Sequence, residues 1–146
     1  MTASDLRTNY AAATRALIEE HRANRGRILS GPFKDRPVLL LHTVGAKSGE
    51  PRIAPLVFSR DGDRYVVIAS KGGAPTNPAW YANTVANPDV TVEAEGDTFK
   101  ARAHVEAEGP ERDRLFNAHK AQHPNFADYE QKTTRVIPAV SLERID

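Results

Sequence analysis

The sequence contains no cysteine among its 146 residues. Disulfide bonds, thiolate nucleophiles and thiolate-bound metal sites are therefore excluded. An excess of charge of one sign is also missing, because 20 lysines and arginines are balanced by 19 aspartates and glutamates, which leaves a formal net charge of +1. This balance gives no overall attraction to nucleic acid or to an acidic membrane surface. Any electrostatic specificity must come from local groups of residues.

Long hydrophobic runs are absent as well. No segment approaches the roughly 20 apolar residues of a membrane span, and the N-terminus lacks a basic segment followed by an apolar one. We therefore expect a cytoplasmic protein without integral membrane contact. The length, with 40% hydrophobic and 27% charged residues, is typical of one soluble domain. We predict a single domain, 1–146, in which an N-terminal helix and connector (1–33) precede a barrel (34–146).

Several motifs that would define an enzyme class are missing. The loop from Gly45 to Gly49 lacks the glycine spacing of a phosphate-binding Walker A loop, and the sequence has no Gly-x-Gly-x-x-Gly, Gly-x-Ser-x-Gly or His-Glu-x-x-His motif. His119 and His123 stand four residues apart, but no third ligand accompanies them. We interpret them as exposed helix histidines and predict no metal site.

Alternating and continuous apolar runs, separated by turn signals, predict six strands. The first run is continuous, as expected for a strand that is covered on both faces. We expect the first three strands to form an antiparallel meander, with Asp61-Gly62 in the second turn. The fold class is therefore mainly β with peripheral helices (α+β), as a small antiparallel barrel. The predicted strands cover residues 38–43, 53–58, 65–69, 90–94, 99–105 and 137–142.

Helical periodicity predicts an N-terminal amphipathic helix over residues 4–21. This helix could contact a membrane surface or a partner, but Glu19 and Glu20 favour packing on the domain. A short helix after Pro78 carries Trp80 and Tyr81, and Asn77 is expected to be its cap. Further helices are predicted from Pro110 and over residues 125–133.

Two loops combine glycine with positive charge. Lys47 and Arg52 lie in the loop after the first strand, and Lys71 follows the third strand beside Gly72 and Gly73. Glycine allows backbone N–H groups to approach a ligand closely, and the cations favour an anion. These loops are therefore candidates for an anion site, although ordinary loops with solvated cations remain the alternative.

The order of several segments adds to this argument. Leu-Leu-His-Thr-x-Gly-x-Lys-Ser-Gly-x-Pro-Arg, Asp-Gly-Asp-Arg-Tyr-Val-Val-Ile-Ala-Ser-x-Gly-Gly, Asn-Pro-Ala-Trp-Tyr-x-Asn, Ala-Asn-Pro-x-Val-Thr-Val-Glu and Phe-Ala-Asp-Tyr occur in this order between residues 34 and 143. Together they resemble the deazaflavin-dependent nitroreductase family of actinobacteria. The resemblance implies a six-stranded split β-barrel of the FMN-binding type. It also implies use of the deazaflavin coenzyme F-420, whose tail carries a phosphate and glutamates.

The same resemblance implies roles for individual residues. Tyr129 would line the substrate side and share a catalytic role with Ser70, whereas Phe126 and Lys132 depart from the best-known pattern, in which tyrosines recur every three residues. Lys47, Ser48 and Arg52 would hold the phosphate and the acidic tail. The remaining predicted cofactor contacts are Pro55, Leu56, Ala69, Ser70, Lys71, Gly72, Gly73, Pro78, Trp80 and Tyr81.

The sequence thus predicts an oxidoreductase that transfers a hydride from reduced coenzyme F-420 to an electron-poor small molecule, such as an activated enone, a quinone or a nitro compound. Two alternatives stay open: an FMN-dependent oxidoreductase of the same fold, and a non-catalytic protein that binds the coenzyme or a lipid. The expected partner is the small-molecule acceptor, with no nucleic acid. Either a monomer or a homodimer is compatible with the sequence.

Overall fold

The computed structural model describes residues 3–146, with side chains described from residue 11 onward. Its seven strands are β1 (Val38–Val44), β2 (Pro51–Val57), β3 (Ser59–Asp61), β4 (Arg64–Ile68), β5 (Asp89–Ala94), β6 (Asp97–Glu106) and β7 (Ala139–Arg144). Within residues 3–146, the helices are α1 (Ala3–Ala23), α2 (Ala79–Ala86), α3 (Pro110–Gln122) and α4 (Asn125–Gln131). A short 3-10 turn covers Lys71–Gly73. None of these helices is long and apolar enough to cross a membrane.

All the strands belong to one antiparallel sheet, in the order β2-β1-β5-β6-β7-β4-β3. The prediction of six strands was wrong, because an additional short strand, β3, follows the second predicted strand (53–58) directly after Phe58. Val57 in β2 pairs with Val38 in β1, whereas Ser59 in β3 pairs with Val66 in β4. The predicted three-stranded meander is therefore also wrong. Since β2 and β3 are the two ends of the sheet, the bend at Phe58 joins these ends into an arrangement consistent with a split barrel.

Strand β1 is buried on both faces, as its continuous apolar run predicts. Leu39 and Leu41 belong to the core enclosed by the sheet, whereas Val38 belongs to a second core with residues of α3 and α4. All three side chains are at most 1% exposed. Each face of β1 therefore contributes to a different hydrophobic core.

Helix α1 packs on the domain at its C-terminal end. The ring nitrogen Nε2 of the buried His21 lies 2.8 Å from the carbonyl oxygen of Val38. Arg22 makes two hydrogen bonds to the carboxylate of Glu93 on β5, at 3.0 and 2.8 Å. Packing on the domain, the favoured interpretation from the sequence, is confirmed for this end of the helix.

His119 and His123 are buried, so their interpretation as exposed residues was wrong. His119 Nδ1 lies 2.8 Å from the hydroxyl of Ser59, and His123 Nε2 donates to the carbonyl oxygen of Phe58 at 2.9 Å. Both histidines therefore fasten the end of α3 to the bend between β2 and β3. The described residues contain no group of three or more histidine, cysteine or acidic side chains that could hold a metal ion.

The buried position of His119 predicts a stability that depends on pH. Burial lowers the pKa of His119 from 6.5 to about 3, and the neighbouring His123 and Arg36 act in the same direction. Between pH 6.5 and pH 3, His119 is therefore protonated in the unfolded chain but not in the folded chain. Its contribution to the free energy of unfolding is present above pH 6.5 and is lost as the pH decreases. From pH 7 to pH 5 the free energy of unfolding should fall by about 2 kcal/mol through this group alone.

Urea denaturation at several pH values measures this dependence. His119→Gln removes the titrating group and retains a polar side chain, so its free energy of unfolding should decline less steeply below pH 6.5 than that of the wild type. Between pH 8 and pH 7 the two proteins should have the same slope. Parallel curves down to pH 5 would contradict the assignment.

Candidate active site

Two adjoining clefts lie along strand β2. The larger has a volume of about 1090 Å³ and the smaller about 310 Å³. Residues from β2, from the loop after β4 and from the start of α2 line both clefts, which therefore form two parts of one groove. The residues common to both are Ile53, Ala54, Lys71, Gly72, Pro78 and Trp80.

The clefts occur at β2 because this strand is an edge strand with a single neighbour, β1. Residues 53–56 are only half-buried, in contrast to the fully buried centre of β1. Pro55 is compatible with an edge position because it has no backbone N–H to donate to a second neighbour. The exposed flank of β2 thus provides an apolar wall for ligands.

The loop between β1 and β2 places positive charge in the larger cleft. Lys47, Ser48 and Arg52, the three residues predicted to hold the phosphate and the acidic tail, all line this cleft. Arg52 is paired with Glu50, at 3.2 Å between Nη2 and Oε2, and the Ser48 hydroxyl accepts the N–H of Glu50, also at 3.2 Å. In the part of the chain that the structure describes, no carboxylate pairs with Lys47, so its ammonium group can bind an anion.

Asn83 holds this loop in place, a role that the sequence analysis missed. Its side chain is buried, donates to the hydroxyl of Thr43 at 3.0 Å and accepts the N–H of Ala46 at 2.9 Å. These bonds connect α2 to the loop that carries Lys47. The motif Asn-Pro-Ala-Trp-Tyr-x-Asn contains Asn83, but nothing in the motif indicates its partners.

The loop after β4 turns sharply where it reaches the groove. Lys71 and Gly72 have positive φ angles of 47° and 63°, a conformation that disfavours residues with a side chain. Lys71 is exposed and lines both clefts, with Nζ 3.4 Å from the hydroxyl of Thr76. Ser70 is buried apart from the surface it contributes to the smaller cleft.

Arg135 fastens this loop and was also missed. Its guanidinium donates to the carbonyl oxygens of Ala69, Ser70 and Ala74 and to the side-chain oxygen of Asn77, at 2.6 to 3.2 Å. The prediction of Asn77 as a helix cap was therefore wrong, because the N-cap position is occupied by Pro78 without a side-chain bond. Burial lowers the pKa of Arg135 from its ordinary value, but a guanidinium stays charged in proteins.

Tyr129 lies on α4 and lines the smaller cleft, together with Pro55, Leu56 and Ser70. Its hydroxyl oxygen accepts a hydrogen bond from Nδ2 of Asn125 at 3.1 Å. Its ring packs edge-on against the buried ring of Phe126, with 5.1 Å between the centroids. A phenol hydroxyl, a serine hydroxyl and an apolar wall thus meet in one cleft.

Gly73 allows α4 to approach the loop closely. A Cβ atom at this position would lie 2.8 Å from the carbonyl oxygen of Tyr129 and 2.7 Å from Cβ of Lys132. Gly73 lines neither cleft, but it determines how closely the loop after β4 and α4 can approach each other. Ala69 and Tyr81 also line neither cleft: Ala69 is fully buried, and Tyr81 packs against the core inside the sheet.

The arrangement suits a long ligand with an anionic end and a flat apolar end. Lys47 and Arg52 lie in the loop at one part of the larger cleft, and Ile53, Pro78 and Trp80 offer apolar surface in the same cleft. A charged tail would gain charge-assisted hydrogen bonds from the cations, and a ring system would gain apolar contact area. The fold is consistent with a split barrel, and the larger of its two clefts has the charge and the apolar surface to suit an anionic, ring-bearing ligand.

Comparison with known proteins agrees with this class. Residues 13–144 match the family model described as F420H(2)-dependent quinone reductase. The Mycobacterium tuberculosis protein named F420H(2)-dependent quinone reductase Rv1261c is 40% identical over 126 residues, which cover 85% of each chain. The chain belongs to this family, and the expectation of a deazaflavin-dependent family is confirmed.

Solved structures support the same assignment. A structure titled F420-H2 dependent reductase (FDR-A) is 38% identical, with a TM-score of 0.67, and the match covers 74% of this chain and 95% of that one. A second structure, titled domain-swapped dimer, is 33% identical, with a TM-score of 0.68 and coverage of 94% and 99%.

The unpaired Lys47 gives a prediction for binding. Lys47→Ala should raise the Kd of coenzyme F-420 by about tenfold to a hundredfold, because a charge-assisted hydrogen bond contributes roughly 1.5–3 kcal/mol. Arg52→Ala should have a smaller effect, since Glu50 already shares the Arg52 charge. Fluorescence titration at several salt concentrations measures both effects, and the salt dependence of the double variant should be flatter.

Lys100→Ala is the matched control, because Lys100 is exposed on β6 and lines neither cleft. Its affinity should equal that of the wild type. If Lys47→Ala and Arg52→Ala also bind like the wild type, these cations are solvated loop residues.

Proposed function

We propose that this protein is an oxidoreductase that transfers a hydride from reduced coenzyme F-420 to a quinone. The observation that carries the proposal is the pair of adjoining clefts, one with the cations Lys47 and Arg52 and the other with the hydroxyls of Ser70 and Tyr129. Membership of the F420H(2)-dependent quinone reductase family supports both the coenzyme and the acceptor.

The predicted cofactor residues divide by cleft. We assign Lys47, Ser48 and Arg52 to the phosphate and the acidic tail of the coenzyme. Lys71, Gly72, Pro78 and Trp80, which line both clefts, are assigned to the ring system. When bound, the reduced coenzyme supplies a hydride, that is, two electrons and one proton.

The residues of the smaller cleft would serve the acceptor. A quinone that receives a hydride carries a negative charge on oxygen and becomes a hydroquinone when it takes up one further proton. The Tyr129 hydroxyl can donate a hydrogen bond to this oxygen while the charge develops, and Ser70 can share the role. The half-buried side chains of Pro55 and Leu56 limit the access of water to the same cleft.

Single-turnover kinetics test the function. Mixing the protein with reduced coenzyme F-420 and a soluble quinone should oxidise the coenzyme much faster than the same mixture without protein. Fluorescence titration should also show tighter binding of coenzyme F-420 than of FMN. Tighter binding of FMN would favour the FMN-dependent alternative, and binding of coenzyme F-420 without turnover would favour the non-catalytic alternative.

Tyr129→Phe tests the hydroxyl of Tyr129. This substitution retains the ring against Phe126 and removes only the hydrogen-bond donor, so kcat should fall by about tenfold to a thousandfold while the Kd of the coenzyme stays within about twofold. A purely structural tyrosine would instead lower the melting temperature and leave kcat unchanged. Measuring both quantities on the same variant separates the two roles.

Two further features of the protein are proposed. A homodimer is supported by the related structure titled domain-swapped dimer, and light scattering in solution would decide between monomer and dimer. The cytoplasmic location, and the use of enones or nitro compounds as acceptors, stay predictions from the sequence.

A further inference from the structure

A chain of hydrogen bonds ends at the Tyr129 hydroxyl and begins at a buried backbone carbonyl. Arg36 Nη2 donates to Oδ1 of Asn125 at 2.8 Å, and Asn125 Nδ2 donates to the Tyr129 oxygen at 3.1 Å. Arg36, Asn125 and Tyr129 all line the smaller cleft. We infer that Arg36 and Asn125 are positioning residues that turn the hydroxyl proton of Tyr129 toward the acceptor; this inference rests on the proposed function.

The direction of each bond follows from the chemistry of the groups. Phe58 offers a carbonyl oxygen, which can only accept, so His123 Nε2 must carry the proton in their 2.9 Å bond. The other ring nitrogen, Nδ1, is then an acceptor and lies 3.3 Å from Arg36 Nη2. Nη2 of Arg36 is thus within hydrogen-bond distance of both His123 and Asn125.

Arg36 in turn fixes the orientation of the Asn125 amide. A guanidinium has donors only, so the amide must direct its oxygen toward Arg36 and its NH₂ group toward Tyr129. An inverted amide would direct its NH₂ group at the guanidinium and lose the 2.8 Å bond. The donor to Tyr129 is therefore determined by Arg36, although Arg36 does not touch Tyr129.

The hydrogen bond from Asn125 determines where the single proton of the Tyr129 hydroxyl can be donated. Since the oxygen already accepts from Asn125, this proton cannot be used in the same bond and is available to another acceptor. Among the described residues the hydroxyl donates no hydrogen bond, whereas Tyr129 lines the smaller cleft. The positive charge of Arg36 also polarises its bond to Asn125 and the bond from Asn125 to Tyr129, in the direction that strengthens the phenol as a donor.

A structural role for the same residues makes a different prediction. In that case Arg36 and Asn125 would only fasten α4 to the connector after α1, and any side chain at 125 that keeps the bond to Arg36 would suffice. Asn125→Asp separates the two roles because a carboxylate has nearly the same shape and binds Arg36 at least as strongly, but has no proton to donate to Tyr129.

In Asn125→Asp the Tyr129 hydroxyl should therefore donate to the carboxylate instead of to the acceptor. We expect kcat for reduced coenzyme F-420 and a quinone to fall as far as in Tyr129→Phe, by about tenfold or more, with unchanged coenzyme Kd and an unchanged or higher melting temperature. In the Tyr129→Phe background, Asn125→Asp should change kcat by less than about twofold, because the two substitutions remove one function.

Gln131→Glu is the matched control. It adds the same charge to the same helix, but Gln131 is exposed and lines neither cleft. Its kcat should equal that of the wild type. A fall comparable to that of Asn125→Asp would show that added charge on α4 is the cause and would overturn the inference.

A second measurement needs no coenzyme. In protein labelled with ¹³C at tyrosine Cζ, the Tyr129 resonance, assigned by its loss in Tyr129→Phe, should shift in Asn125→Asp and stay in place in Gln131→Glu. An unmoved resonance, a wild-type kcat in Asn125→Asp, or an unchanged kcat in Tyr129→Phe would each overturn the inference. Failure of the proposed function is distinct, because the wild-type protein would then fail to oxidise the reduced coenzyme with a quinone.

Discussion

The bend at Phe58 is the constraint on which the rest of this structure depends. It transfers the chain from β2 at one end of the sheet to β3 at the other. His119 in α3 binds the Ser59 hydroxyl, and His123, the residue directly after α3, binds the Phe58 carbonyl, so both stabilise the bend. Because the chain leaves β2 there, β2 keeps a single strand neighbour and an uncovered flank. Both clefts lie along this flank, so the candidate site is located at the strand of the sheet that lacks a second neighbour.

The two clefts keep a fixed relation to each other through backbone contacts. Gly73 lets the loop after β4 approach the carbonyl oxygen of Tyr129, and Arg135 fixes the same loop through three carbonyl oxygens. A substitution at Gly73 would separate the loop after β4 from α4, even though Gly73 lines neither cleft. His123 takes part in both arrangements, since one ring nitrogen binds the bend at Phe58 and the other accepts from Arg36. The geometry of the sheet and the orientation of the Tyr129 hydroxyl are thus coupled through one buried imidazole.

The sequence predicts those parts of the site that local chemistry determines. Glycine beside a cation identifies the loops of Lys47 and Lys71, and the apolar run of β1 identifies the central strand. It does not predict that a separate strand begins after Phe58, because residues 53–58 are mainly apolar and no glycine marks the change of strand partner there. The prolines at positions 51 and 55 are the available signal, since proline within a strand is typical of an edge. No comparable signal in the sequence predicts the burial of His119 and His123. A histidine on a solvent-exposed face and a histidine that binds a buried polar group look the same in the sequence.

The polar residues that organise the site are hidden from the sequence for a common physical reason. A cation in a sequence has no fixed role until its neighbours are known, and here similar residues have opposite roles. Arg135 donates hydrogen bonds to backbone carbonyls, Arg52 forms an ion pair with Glu50, and Arg36 donates a hydrogen bond to Asn125. Lys47 and Lys71 have no carboxylate partner among the described residues, so their charges are available to an anionic ligand. Because the net charge is only +1, an anion would be attracted by such local unpaired cations and not by the protein as a whole.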